Sequence, residues 1–180
     1  MKKFLILYKD KNSIYSTNDL SNLWLEKNKN TLYTTIKRYI KENKLFRIQK
    51  GLYSKIPISQ LDKNELARKL LSGYCYLSLE TVLFNHGFRS QVPKHLTFVG
   101  EEAKTIKLDN LSIKCQQLNI KFLYNETETY LQNEIRVATA ERAVCDTLYY
   151  NSLADFDKKI DWKAINILQR KIGYKVTNRK

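Results

Sequence analysis

The stretch Asn30-Thr31-Leu32-Tyr33-Thr34-Thr35-Ile36-Lys37-Arg38-Tyr39-Ile40-Lys41-Glu42 decides the fold of the first part of this chain, together with Lys44-Leu45-Phe46-Arg47-Ile48 and Gly51-Leu52-Tyr53-Ser54-Lys55 just after it. Leu32, Ile36, Tyr39 and Ile40 recur at helical spacing, so residues 31–42 are expected to form a helix with Asn30 as its N-cap. At about 100° per residue the opposite face carries Thr31, Thr34, Lys37, Arg38 and Lys41, with Tyr33 and Thr35 at its margins. That face combines short hydroxyls and cations and holds no acid. The two segments that follow read as strands joined at Gln49-Lys50, with Gly51 available for a positive φ.

Working outward, Ser16 or Thr17 can cap a short helix that carries Leu20, Leu23 and Trp24 on one face. A turn at residues 26–30 separates it from the next helix. Helix, turn, helix and basic hairpin is the order of a winged helix-turn-helix. Pro57 ends the last strand and starts a linker, so the expected domains are residues 1–57 and 58–180.

Charge points to the same region. Between residues 27 and 55 stand Lys27, Lys29, Lys37, Arg38, Lys41, Lys44, Arg47, Lys50 and Lys55, against Glu42 alone, in a chain whose formal charge is +14. Such a concentration is the electrostatic footprint of a polyanion-binding face. The expected partner is double-stranded DNA, with residues 31–41 in the major groove and the hairpin on the flanking backbone or minor groove. Arg38 is the expected base contact, because its planar fork matches guanine. Thr31, Thr34 and Thr35 can reach phosphates or a thymine methyl, while Lys37, Lys41, Arg47 and Lys50 position the protein on phosphates. One short motif of this kind covers few base pairs. Paired, inverted half-sites occupied by two or more copies are therefore expected.

Other classes receive little support. No apolar run approaches the ~20 residues that span a bilayer, and Lys9-Asp10-Lys11 cuts the apolar stretch after Lys3 too short for a signal peptide, so a cytoplasmic protein is expected. Cys75, Cys115 and Cys145 are too far apart for a zinc module or a disulfide framework and are expected to be buried thiols. His86 and His95 read as a helix-end and a strand-start residue. Carboxylates are dispersed, and the Glu-x-Lys spacing at Glu102-Ala103-Lys104 lacks the Pro-Asp of a nuclease strand. With five glycines and no Gly-x-x-x-x-Gly-Lys run, a nucleotide loop is also missing. Neither an enzyme nor a cofactor is expected.

The second half reads as α+β. Residues 62–72, 78–86, 139–150 and 161–172 pattern as helices, the last with Trp162, Ile165, Leu168 and Ile172 inward. Residues 95–99, 105–108, 111–118 and 120–124 pattern as strands. Ser78 with Glu80, and Thr139 with Glu141, read as helix starts.

Three blocks together resemble a known family. Asn30-Thr31-Leu32-Tyr33, Ile36, Ile40 and residues 45–53, then Tyr76-Leu77-Ser78-Leu79-Glu80-Thr81-Val82-Leu83 through His86-Gly87-Phe88, then Ile135-Arg136-Val137-Ala138-Thr139-Ala140-Glu141-Arg142-Ala143 through Leu148-Tyr149, are similar to the AbiEi family of antitoxins. The third block has Ala140 where that family often carries proline. The resemblance runs from about residue 15 to 150, and against the larger members the chain is expected to lack an extended C-terminal region. It implies a repressor of its own operon that counteracts a nucleotidyltransferase-like toxin in phage defence, with or without touching it. The competing expectation is an adaptor that neutralises a toxin by direct contact and keeps the winged helix as scaffold.

Overall fold

The computed structural model describes residues 2–108, 111–133 and 135–179, and its architecture is α+β. The chain divides into two compact units, residues 1–66 and 67–180, and the division falls within a helix.

The first unit runs α1 (Lys2–Lys9), β1 (Ile14–Ser16), α2 (Thr17–Leu23), α3 (Lys29–Lys41), β2 (Phe46–Gln49) and β3 (Leu52–Ser54). The strands form an antiparallel sheet in the order β1-β3-β2. Leu7, Tyr15, Leu20, Trp24, Leu32, Ile36, Tyr39, Leu45 and Tyr53 make one core, with Phe4, Leu23 and Ile40 packed against it. Every element except β2 contributes a buried side chain to that cluster. Helix and sheet therefore hold each other in place by apolar burial.

Local chemistry sets the boundaries. Ser16 and Asp19 close a reciprocal capping box on α2, which selects Ser16 over Thr17 as the cap. The cap of α3 is Asn28, two residues earlier than expected, because its side-chain oxygen accepts from the amides of both Asn30 and Thr31. Asn30 is thus a first-turn residue, not the cap. The hairpin turns at Lys50-Gly51, one residue later than expected, since Gln49 pairs with Leu52 and Gly51 takes φ 82°. Only a residue without Cβ adopts that conformation cheaply. The amide of Thr17 donates to the Gly51 carbonyl at 2.9 Å and ties this turn to the start of α2.

After a 3-10 turn at Ile58–Gln60, the chain continues through α4 (Lys63–Leu70), β4 (Cys75–Leu77), α5 (Leu79–Asn85), β5 (Leu96–Gly100), β6 (Lys104–Leu108) and β7 (Leu111–Gln117). It ends with α6 (Ile120–Leu123), β8 (Thr129–Gln132), β9 (Ile135–Ala138), α7 (Ala140–Tyr150) and α8 (Trp162–Ile172). The six strands of the second unit form one mixed sheet in the order β6-β7-β5-β4-β9-β8. Helix α7 packs on α5 and α8, and α5 lies against β5. Residues 120–124, expected as a strand, form a helical turn instead. The Asn119 side chain accepts from the Lys121 amide, and Leu123 is buried while Ile120 is exposed.

Candidate nucleic-acid interface

Helix α3 presents two chemically distinct sides. Leu32, Ile36 and Tyr39 are buried, whereas Thr31, Tyr33, Thr34, Lys37, Arg38 and Lys41 are exposed. On the hairpin Arg47 and Lys50 are exposed as well. Among the described residues, Lys37, Lys41, Arg47 and Lys50 make no ion pair with a carboxylate. Their charge is available to a ligand.

Thr35 does not belong to this face. It is 7% exposed, and its hydroxyl donates to the Thr31 carbonyl at 2.9 Å, the back-bond of a hydroxyl residue inside a helix. The expectation that Thr35 reaches phosphate or a thymine methyl is therefore corrected. One helical step beyond Thr34 already turns the side chain into the core.

The acid near this face is Glu42, at the end of α3. Lys44 Nζ donates to its Oε2 at 2.6 Å, and that hydrogen bond chiefly holds the Glu42 carboxyl below the usual range. Arg38 Nε lies 4.0 Å from the other carboxylate oxygen, beyond hydrogen-bond reach, with its guanidinium over the Tyr39 ring at 5.3 Å. Arg38 thus keeps its donors for a ligand. Two cations of the basic run serve the protein itself: Lys44 neutralises Glu42, and Lys55 Nζ donates to the Asp10 carbonyl.

In the second unit Ser78 and Thr139 take structural roles. Ser78 is fully buried and makes no side-chain cap to α5; its hydroxyl donates to Asp146 Oδ2 at 2.7 Å. Asp146 also accepts from Tyr76 Oη at 3.0 Å, Tyr174 Oη at 2.7 Å and Arg142 Nε at 2.9 Å. The rest of the Arg142 fork donates to Tyr76 Oη and to the carbonyls of Phe122, Asn125 and Thr127. Burial is the largest influence on Arg142 and opposes its charge, but Asp146 together with Tyr76 and Tyr174 raises its pKa, while burial and then Asp146 push the Tyr76 and Tyr174 phenols up. Thr139 does cap α7, accepting from the Arg142 amide.

The three cysteines are free and buried. Among the described residues no group of three His, Cys, Asp or Glu side chains could hold a metal ion, and no helix is long and apolar enough to cross a membrane. One feature of the second unit escapes sequence reading: Arg89, Lys94 and Lys114 line a common cleft with Glu80 and His95. They come from a loop and a strand far apart in the chain, so no spacing rule joins them. Compared with known proteins, the chain matches no protein-family model and no curated sequence.

Proposed function

We propose that residues 1–66 are a winged helix-turn-helix that binds double-stranded DNA, with α3 in the major groove and the β2–β3 hairpin along the flanking backbone. The observation that carries this reading is the two-sidedness of α3. Its inner stripe is locked into the core by Leu32, Ile36 and Tyr39, so the threonines and cations of the other side are held outward on a rigid element. A helix so anchored presents its outer residues to a groove at little further entropic cost. The exposed Arg47 and Lys50 supply phosphate contacts from the adjoining hairpin.

In this reading the chain represses its own operon in the cytoplasm by binding inverted half-sites as two or more copies. It also acts as an antitoxin toward a nucleotidyltransferase-like toxin. The antitoxin role rests on the three blocks similar to the AbiEi family, and the DNA-binding role rests on α3 and the charge map. The chain performs no catalysis of its own.

Mobility shift with the DNA upstream of its own gene tests the first role. The expected result is a retarded complex at nanomolar to micromolar protein, lost steeply as salt rises. Absence of binding at low salt overturns it. Expression beside the toxin from a foreign promoter tests the second role, because survival then owes nothing to repression.

A further inference from the structure

Lines of side chains on the mixed sheet converge beside the start of α5. Thr97 on β5 pairs with Lys114 on β7, and two residues earlier His95, just before β5, meets Ser112 on β7 with Nδ1 2.7 Å from its Oγ. Period-two alternation puts these side chains on the same side of the sheet. From the α5 side, the Thr81 amide and hydroxyl bond to Thr97, which brings Glu80 to the same place. The loop between α5 and β5 closes the third wall and adds Arg89, Val92 and Lys94.

The resulting cleft is about 410 Å³, within the range of small-molecule sites. Among the described residues, none of Arg89, Lys94 and Lys114 is in an ion pair. Asp157, the carboxylate next to Arg89, is already engaged by the amide and hydroxyl of Ser90 at 2.6 and 2.7 Å. Arg89 is braced over the Phe156 ring at 5.6 Å. Ser112 occupies one ring nitrogen of His95 and leaves Nε2 for a ligand. With the Glu80 carboxylate in the same lining and Asp157 acting on Arg89, the three cations still leave the cleft net positive, which favours an anionic occupant.

The lining also has features that a bare polyphosphate does not use. Val92 is 69% exposed at the cleft and offers an apolar ledge for a flat ring. Among the described residues Glu80 is an acceptor without a donor, suited to ribose hydroxyls or an exocyclic amine. We infer that this cleft binds a nucleoside polyphosphate, its phosphates held by Arg89, Lys94 and Lys114 and its nucleoside placed by Glu80 and Val92. This site lies wholly in the second unit and does not depend on the DNA-binding reading.

Titration calorimetry of the full chain with ATP, GTP, CTP and UTP tests it, with inorganic tripolyphosphate as the probe of charge alone. One equivalent of at least one nucleotide should bind more tightly than tripolyphosphate. Lys94→Gln combined with Lys114→Gln should weaken that binding by about tenfold or more, since both side chains are exposed and their loss does not threaten folding. Glu80→Gln should narrow the margin over tripolyphosphate. Lys37→Gln combined with Lys50→Gln, on the first unit, should leave nucleotide binding unchanged. No binding up to about 1 mM nucleotide overturns the site. So does a loss caused by the Lys37 and Lys50 pair instead of the cleft pair, and equal affinity for tripolyphosphate and all four nucleotides overturns the nucleoside assignment.

Discussion

Arg142 and Asp146 lie one turn apart on α7, both fully buried, and the Arg142 Nε donates to Asp146 Oδ1 at 2.9 Å. Asp146 accepts four such bonds, from groups on β4, on α7, just after β4 and beyond α8. Removing the carboxylate leaves a buried guanidinium uncompensated and three hydroxyls without their acceptor. Asp146→Ala should therefore destabilise the second unit by about 3–5 kcal/mol, the usual cost of breaking a buried pair from one side. Tyr174→Phe deletes one donor of four and should cost only about 0.5–1.5 kcal/mol. Chemical denaturation of both variants checks the order; equal losses would mean that the ion pair is not what holds this region.

On α3 the structure separates two adjacent threonines. Thr34→Val should weaken DNA binding, whereas Thr35→Val should leave affinity unchanged and lower stability slightly, because the Thr35 hydroxyl is spent on the Thr31 carbonyl. Arg38→Ala should relax sequence preference by about 1–3 kcal/mol. Lys50→Ala should weaken all sequences alike and reduce the salt slope by roughly 0.9. Binding isotherms at several salt concentrations on specific and scrambled DNA distinguish these outcomes. If Thr35→Val cost as much affinity as Thr34→Val, the exposed face has been drawn wrongly.

Acid should act on the second unit through Glu101. Its carboxyl accepts from Tyr124 Oη at 2.6 Å and from the Tyr74 amide at 3.0 Å, and those bonds hold its pKa below the ordinary 4.5. A carboxyl depressed by folding contributes stability that is fully present above its unfolded pKa and is lost as pH falls through the folded value. Glu101→Gln should thus lower the melting temperature at pH 7, with a gap from the native chain that shrinks below about pH 4.5. A gap independent of pH would assign the effect to packing. Gly73→Ala should disturb the same place, because a Cβ there would lie 2.3 Å from Glu101 Oε2 and φ is already +72°.

The thiols should be inert in the folded chain. Burial raises the pKa of Cys75 and Cys145 and pushes Cys115 up to about 12. At pH 8 the thiolate fraction of Cys115 is then on the order of 10⁻⁴, and thiolate is the reactive form. Ellman's reagent should react with the folded protein on the timescale of its unfolding and with all three cysteines at once in denaturant. Rapid reaction of one thiol under native conditions would contradict the burial.

Strong periodicity and strong caps were legible without coordinates. The apolar stripe of α3, the hairpin after it, the Asp161-capped α8 and the Thr139-capped α7 each carry their cause within a few neighbouring residues. Short or one-sided elements were not. Strand β1 has three residues, too few to display a period, and exists because Tyr15 pairs with Tyr53, thirty-eight positions away. Helix α1 shows no single apolar stripe in its sequence: Leu7 is buried while the neighbouring Leu5 and Ile6 are exposed, and only packing chooses among them. Asn28 and Asn30 have the same side chain, and only the path of the backbone decides which oxygen reaches two free amides.

The same division applies to function. Local sequence determined that cations and hydroxyls share one side of α3, because helical periodicity is a property of consecutive residues. Tertiary structure decided that Thr35 is buried, that Ser78 serves Asp146 instead of a helix end, and that Arg89, Lys94 and Lys114 meet in one cleft. Those facts depend on contacts between residues far apart in the chain, and such contacts are settled by how the elements bury their apolar faces together, which no local pattern encodes.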